Sequence, residues 1–352
     1  MQNRLVSAVL AVSLAGLSSG CATAIALDVS LPDEKATYTV TTDPAMPQVA
    51  AQARVAGVTP DPTATTSIHW TADLRFDATE CPDGIAARSH HITLTHTAAG
   101  GQYTPAFNEL RGGSLTFTAV AARDAQRRPY QSRAVQILGT NPNRSAIQAA
   151  LPHDTLRRIA CQESEQRQFA ADANGGVSAC PLFSSDGLGG VGIMQLTNPA
   201  PTAEEIWSWR ANVAGGVTLF NSKIADARSF PAQVRTSQGY RTLLNHLNTV
   251  RAQQNLPPLQ VALPDYTSGD FDANLQQLEL DSLRGYNGYP AGGQFGLRMH
   301  EFQVVTDAVT GAIALDADGN ALWERVPVAA RPHLNDPDYV NRILARDPRC
   351  GG

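Results

Sequence analysis

Leu156, Ile159, Ala160 and Glu163 fall at i, i+3, i+4 and i+7, with Asp154 placed to cap the helix that this spacing predicts. The pattern puts a carboxyl on the apolar stripe. An unpaired charge there is costly, and a carboxyl responds by holding its proton to higher pH. A carboxylic acid that survives near neutrality is a general acid. It suits bonds whose leaving oxygen departs only when protonated, glycosidic bonds among them. A glutamate reaching solvent from the end of an amphipathic helix would show the same spacing, so the helix alone does not decide the matter.

The decision comes from what accompanies it. Cys161-Gln162-Glu163-Ser164 is followed by Gly190-Val191-Gly192-Ile193-Met194-Gln195-Leu196, then Asn212-Val213-Ala214-Gly215-Gly216, then Arg284-Gly285-Tyr286-Asn287-Gly288. The series closes with Asp338-Tyr339-Val340-Asn341-Arg342-Ile343-Leu344. In this order the pieces resemble the catalytic domain of the soluble lytic transglycosylases, relatives of goose-type lysozyme, over roughly residues 143–345.

That resemblance implies a lysozyme-like domain acting on peptidoglycan glycan strands, without cofactor or metal. Glu163 would protonate the oxygen of the MurNAc-GlcNAc β-1,4 bond. As carboxylate it would then take a proton from the sugar's C6 hydroxyl, leaving a 1,6-anhydro ring. Ser164 would place the glutamate or the substrate, and Gly192 would let backbone approach the sugar. Met194 would give the cleft an apolar wall and Gln195 an amide. Tyr286 and Asn287 would border Glu163 from the opposite side, with Tyr339 packing or bonding nearby. Asn212 is expected to organise a helix start. Glu165, two residues on, should diverge from the Glu163 face.

The chain departs from the family pattern in its long stretch between Glu163 and Gly192, its extended segment before Tyr286, and Tyr289-Pro290 after the Tyr-Asn-Gly. Asp172 and Asp186 stand in loop-like stretches, where either could serve as a second carboxylate. A hydrolytic muramidase is therefore an alternative, as is a non-catalytic wall-binding or secretion-apparatus subunit.

The elements that would hold these residues read as two domains. Residues 28–140 alternate in short β-branched runs such as Ser67–Leu74, His91–Thr95 and Leu115–Val120, which predicts an all-β immunoglobulin-like sandwich. Residues 143–350 turn to helical periodicity, with helices around 202–228 and 232–253, which predicts a mainly α domain. Ala312–Glu324 alternates about Asp316-Ala317-Asp318-Gly319-Asn320, a late inserted β-hairpin; its aspartates lack the ligand ladder of a calcium loop and make a turn. His90 and His91 point to opposite strand faces and read as a surface pair.

Residues 1–26 read as a secretory signal: Arg4, an apolar run from Leu5 to Leu17, then small residues. Cleavage after Ala26 competes with a lipoprotein signal over 1–20 that would leave Cys21 as a lipid anchor. Either way the chain is expected to be exported to the periplasm, with the outer membrane as partner if Cys21 is lipidated. Cys81, Cys161, Cys180 and Cys350 remain, an even number that predicts two disulfides. Cys161–Cys180 is the more local pairing, leaving Cys81–Cys350. No pair has the spacing of a zinc site. A net charge of -5 without a basic run gives no basis for nucleic-acid binding, and neither Lys35 nor Lys223, the only lysines, stands in a phosphate loop.

Overall fold

The structure is a computed structural model, which describes residues 27–31, 37–55, 66–121, 129–263, 277–332 and 336–351. The leader with Cys21, Lys35, Pro60–Pro62 and Tyr266–Gly269 lie outside the described residues.

Strands β1 (Leu27–Ser30), β2 (Tyr38–Thr39), β3 (Ala51–Val55), β4 (Ser67–Phe76), β5 (His90–Ala99), β6 (Gln102–Tyr103), β7 (Gly113–Ala121), β8 (Tyr130–Gln131) and β9 (Val135–Thr140) come first. Helices α1 (Arg144–Ala150) and α2 (Asp154–Ser164) follow, then β10 (Val177–Ser178). The remainder is α3 (Ala203–Trp207), α4 (Trp209–Thr236), α5 (Gln238–Gln253), α6 (Gln277–Tyr286), β11 (Phe302–Val304), β12 (Trp323–Arg325) and α7 (Tyr339–Ala345).

The main sheet has seven strands, ordered β10-β9-β7-β4-β5, with β2 on β9 and β8 on β7. The β2–β9 pair is parallel and its other pairs antiparallel, so the sheet is mixed. Alternation sets its inner face: Ile68, Trp70, Ala72 and Leu74 of β4 are buried, as are Leu115, Phe117 and Ala119 of β7. Large faces small across the register, Trp70 opposite Ala119 and Ala72 opposite Phe117. The alternation is legible in sequence because a half-buried strand has period two.

These features correct the expected fold class. The chain is mixed α/β, about 34% helix and 24% strand, with seven helices among the described residues. It is not an all-β immunoglobulin-like sandwich followed by a mainly α domain. One hydrophobic core takes in the sheet's inner face together with Phe169, Phe183, Val191, Ile206 and Trp207. Trp207 packs edge-on against Phe76 with centroids 5.2 Å apart, and a Cβ at Gly112 would lie 2.0 Å from its ring. The sheet thus buries its apolar face partly on residues far along the chain. Strand periodicity says that a face must be covered, not by what.

Local expectations change too. Asp154 is the first residue of α2 rather than its cap; His153 precedes it without a capping side-chain bond. Helix α4 runs through Pro231, which is buried beside Phe230 and Val234, so the anticipated break near 230 falls at Ser237 instead. The late hairpin is wider than 312–324, since β11 pairs with β12 from Phe302 to Arg325. At its tip the Asp316 carboxylate accepts from the backbone of Asp318 and Asn320, so its oxygens serve the turn. No metal-holding group of His, Cys, Asp or Glu occurs among the described residues. His91 bonds Asp73 on the surface, but His90 is half-buried, 5.4 Å from Phe76 between ring centroids, so the two are not a surface pair.

The disulfides join Cys81 to Cys180 and Cys161 to Cys350. The expected Cys161–Cys180 pairing is wrong because Cys161 lies on the side of α2 that meets the chain end, whereas Cys180 packs against the sheet core.

Candidate active site

Helix α2 buries Leu156, Ile159, Ala160 and Cys161, and delivers half-buried Glu163 one residue before its end. The helix stops because Glu165 (φ 55°) and Gln166 (φ 60°) adopt the left-handed conformation. Glu165 therefore lies beyond the helix; it is exposed and does not follow the helical divergence expected of it. Ser164 is buried, and its hydroxyl donates to the carbonyls of Ala160 and Ile193 at 3.1 and 2.9 Å. It ties the helix end to the Gly190–Thr197 loop.

That loop is held by two buried amides. Asn212 Oδ1 accepts from Met194 N at 2.9 Å, while its Nδ2 donates to Val191 O and Glu205 O. Gln168 Oε1 accepts from Ile193 N, and its Nε2 donates to Glu205 O and Ile206 O. Gly192 sits between them at φ 73°, and a Cβ there would lie 2.5–2.7 Å from both amides. Glycine is required for this packing. Asn212 organises the loop rather than a helix start, and Gln168 was not singled out in the sequence at all.

Glu163, Gln195, Tyr286, Asn287 and Tyr339 line one cavity of about 840 Å³. Ser164, Gly192 and Met194 do not line it. Met194 is fully buried against Gly216, and only its carbonyl reaches the site region, accepting from the Tyr286 hydroxyl at 2.7 Å. Gln195 Nε2 donates to Gly192 O, and its buried Oε1 has no partner.

The Tyr339 hydroxyl donates to Glu163 Oε1. Burial pushes the Glu163 carboxyl up to about 7 against the lowering effect of that bond; nearby Asp186 and Asp336 push the same way as burial, and Arg342 opposes them. Burial, then the Glu163 charge, raises the Tyr286 and Tyr339 phenols well above their ordinary range, so both remain donors.

Asp186 lines the cavity, exposed, accepting from Ser184 Oγ and Leu188 N. Asp172 does not line it; its carbonyl serves Asn141. Sequence reasoning missed Lys223, Asp226, Arg298, Asp336 and Arg342, all of which line the same space. It also missed Glu301. This fully buried carboxylate pairs with Arg284, Arg325 and Arg331, and Arg284 further donates to the carbonyls of Asp336 and Pro337. The network fixes the end of α6, which carries Tyr286, to the start of α7, which carries Tyr339. Arg284 among leucines on a helix was the available signal.

Set beside known proteins, the chain matches no family model, and no curated protein or solved structure is detectably similar to it.

Proposed function

We propose that the protein is an exported peptidoglycan lytic transglycosylase with Glu163 as its single acid/base. The observation that carries the reading is the state of Glu163: a carboxyl raised to about 7, bonded on one oxygen by Tyr339, at a cavity large enough for an extended ligand. Because Tyr339 occupies one oxygen, the transferable proton sits on the other.

The reaction runs in two steps. Glu163 gives its proton to the oxygen between MurNAc and GlcNAc, and the bond from that oxygen to MurNAc C1 breaks. The resulting carboxylate takes the C6 hydroxyl proton as O6 bonds to C1. The acid is regenerated and no water is consumed. Gln195 lines the cavity beside Glu163, where its side chain meets the strand. The two disulfides fit an oxidising compartment such as the periplasm.

One observation favours a second reading. Asp186 and Asp336 line the same cavity, and an added carboxylate could activate water as in an inverting hydrolase. Asp336 is paired with Arg342, which leaves Asp186 and Asp226 as the carboxylates to consider. Mass spectrometry of digested peptidoglycan separates the two: 1,6-anhydroMurNAc ends support the transglycosylase, reducing ends the muramidase. Undiminished cleavage by Glu163→Gln would remove both.

A further inference from the structure

Strand β5 reads His90-His91-Ile92-Thr93-Leu94-Thr95-His96-Thr97-Ala98-Ala99, without a proline, lysine, arginine, aspartate or glutamate. It is the last strand of the main sheet and pairs with β4 on one side; no other described strand or isolated bridge meets its far side. The pairing keeps a single register from Ser67↔Ala99 to Phe76↔His90, so no bulge turns the edge away. On an antiparallel edge every second residue points its N–H and C=O outward. Strand β5 therefore offers a long, straight row of backbone donors and acceptors. It carries none of the charges, prolines or bulges that keep sheet edges apart. The opposite edge is protected by brevity, since β10 has two residues.

The side chains suit a second copy of the same strand. Ile92, Leu94 and His96 lie opposite Leu74, Ala72 and Trp70 of β4, whose side chains are buried, so they stand on the core side of the sheet. Ile92 and Leu94 are only half-buried there, with β4 flanking them on one side. Thr93, Thr95 and Thr97 form an exposed row on the outer face. A two-fold axis through Leu94 or through Thr95 sets two such strands antiparallel with their faces matched. About Leu94 it pairs Leu94 with Leu94 and Thr93 with Thr95. About Thr95 it pairs Thr95 with Thr95 and Thr93 with Thr97. In both registers threonine meets threonine, a favourable cross-strand pair, and no like charges are opposed. For a chain of net charge -5, an edge free of carboxylates lets two copies approach without local repulsion.

We propose that β5 is a dimerisation edge: two copies of this chain pair their β5 strands antiparallel about a two-fold axis, and the sheet continues across the interface. Backbone hydrogen bonds supply the affinity, as in other cases of strand addition, and the flanking Ile92 and Leu94 gain cover. The proposal is independent of the enzyme reading, because no residue of β5 lines the cavity at Glu163.

Sedimentation velocity of the purified protein over about 1–100 μM should show a reversible monomer–dimer equilibrium. Thr95 is exposed, so Thr95→Lys and Thr95→Glu change the edge without touching the core, and both should keep the wild-type melting temperature. Each variant alone sets two like charges within reach across the axis, directly or on the diagonal, and its dimer dissociation constant should rise at least about tenfold. Mixed one to one, the two variants should dimerise again, because opposite charges then meet across the axis. A monomer throughout the concentration range overturns the proposal. A dimer that both variants leave intact overturns it too, since another surface then holds the copies together. Two folded variants that stay monomeric when mixed would exclude the antiparallel pairing.

Discussion

Tyr339 donates its phenolic proton to Glu163 Oε1 at 2.5 Å, joining residues 176 apart in the chain. The contact opposes the effect of burial: it lowers the Glu163 carboxyl, whereas desolvation raises it, and the balance lies near 7. The phenol therefore both orients the carboxyl and sets the pH at which it lets its proton go.

Tyr339→Phe removes the lowering contact, so the Glu163 carboxyl should titrate above 7. The basic limb of the pH–rate profile should move to higher pH. The maximal rate should fall roughly 10- to 100-fold, the equivalent of a hydrogen bond to a charged group worth about 1.5–3 kcal/mol. A fall in rate with an unmoved limb would mean that the tyrosine merely packs.

If Glu163 acts as the proposed general acid, it must be protonated on the free enzyme, so kcat/KM should decline as pH rises through about 7. Stability follows the same sign. The folded pKa lies above the unfolded value, so the contribution is fully present below about 4.5 and lost as pH rises through about 7. At about 1.4 kcal/mol per pH unit the loss is on the order of 3 kcal/mol. Glu163→Gln cannot ionise and still accepts from Tyr339. It should be inactive yet melt higher than wild type at pH 8, with the difference shrinking at pH 5. A variant that melts lower at pH 8 would contradict the burial of this carboxyl.

Glu301 is fully buried and is met by Arg284, Arg325 and Arg331. Removing its charge strands the two buried arginines among them, Arg284 and Arg331. Breaking a buried pair from one side costs about 3–5 kcal/mol. Glu301→Gln should unfold at correspondingly lower denaturant and, where still folded, lose activity because Arg284 no longer holds Asp336 and Pro337 beneath Tyr339. Equal stability in chemical denaturation would show that the cluster is not a keystone of the fold.

What the sequence made legible was local. The spacing Leu156, Ile159, Ala160, Glu163 marks α2 because those four residues share one helical face, and the first three are buried. The alternation of β4 and β7 likewise marks strands with one inner face. The short conspicuous segments that line the cavity were picked out by resemblance, but several roles shifted. Met194 and Gly192 support the loop from behind, because what a residue faces depends on Asn212 and Gln168 reaching under it. Illegible were the relations between distant residues. Trp207 covering the sheet, the two-residue strand β10 joining β9, and the arginines meeting at Glu301 have no periodicity to betray them.

The disulfides belong to that illegible class and give the last expectation. Cys161 is buried on α2 two residues before Glu163, and its partner Cys350 draws the chain end back along the helix. There Arg346 donates to Gln162 Oε1 at 2.8 Å, one residue from Glu163. The bridge spans 189 residues and Cys81–Cys180 spans 99. Chain-entropy reasoning assigns loops of this size about 5 kcal/mol each, and measured losses run about 2–5 kcal/mol. Replacing Cys161 and Cys350 together with alanine should lower stability by that amount and, below the new melting point, depress activity by loosening the end of α2. Replacing Cys81 and Cys180 should cost similar stability but loosen instead the approach to the loop that carries Ser184, Asp186 and Gln195. Peptide mapping without reduction should recover Cys81 with Cys180 and Cys161 with Cys350. Recovery of a Cys161–Cys180 peptide instead would detach the end of α2 from the chain terminus and contradict this anchoring of Glu163.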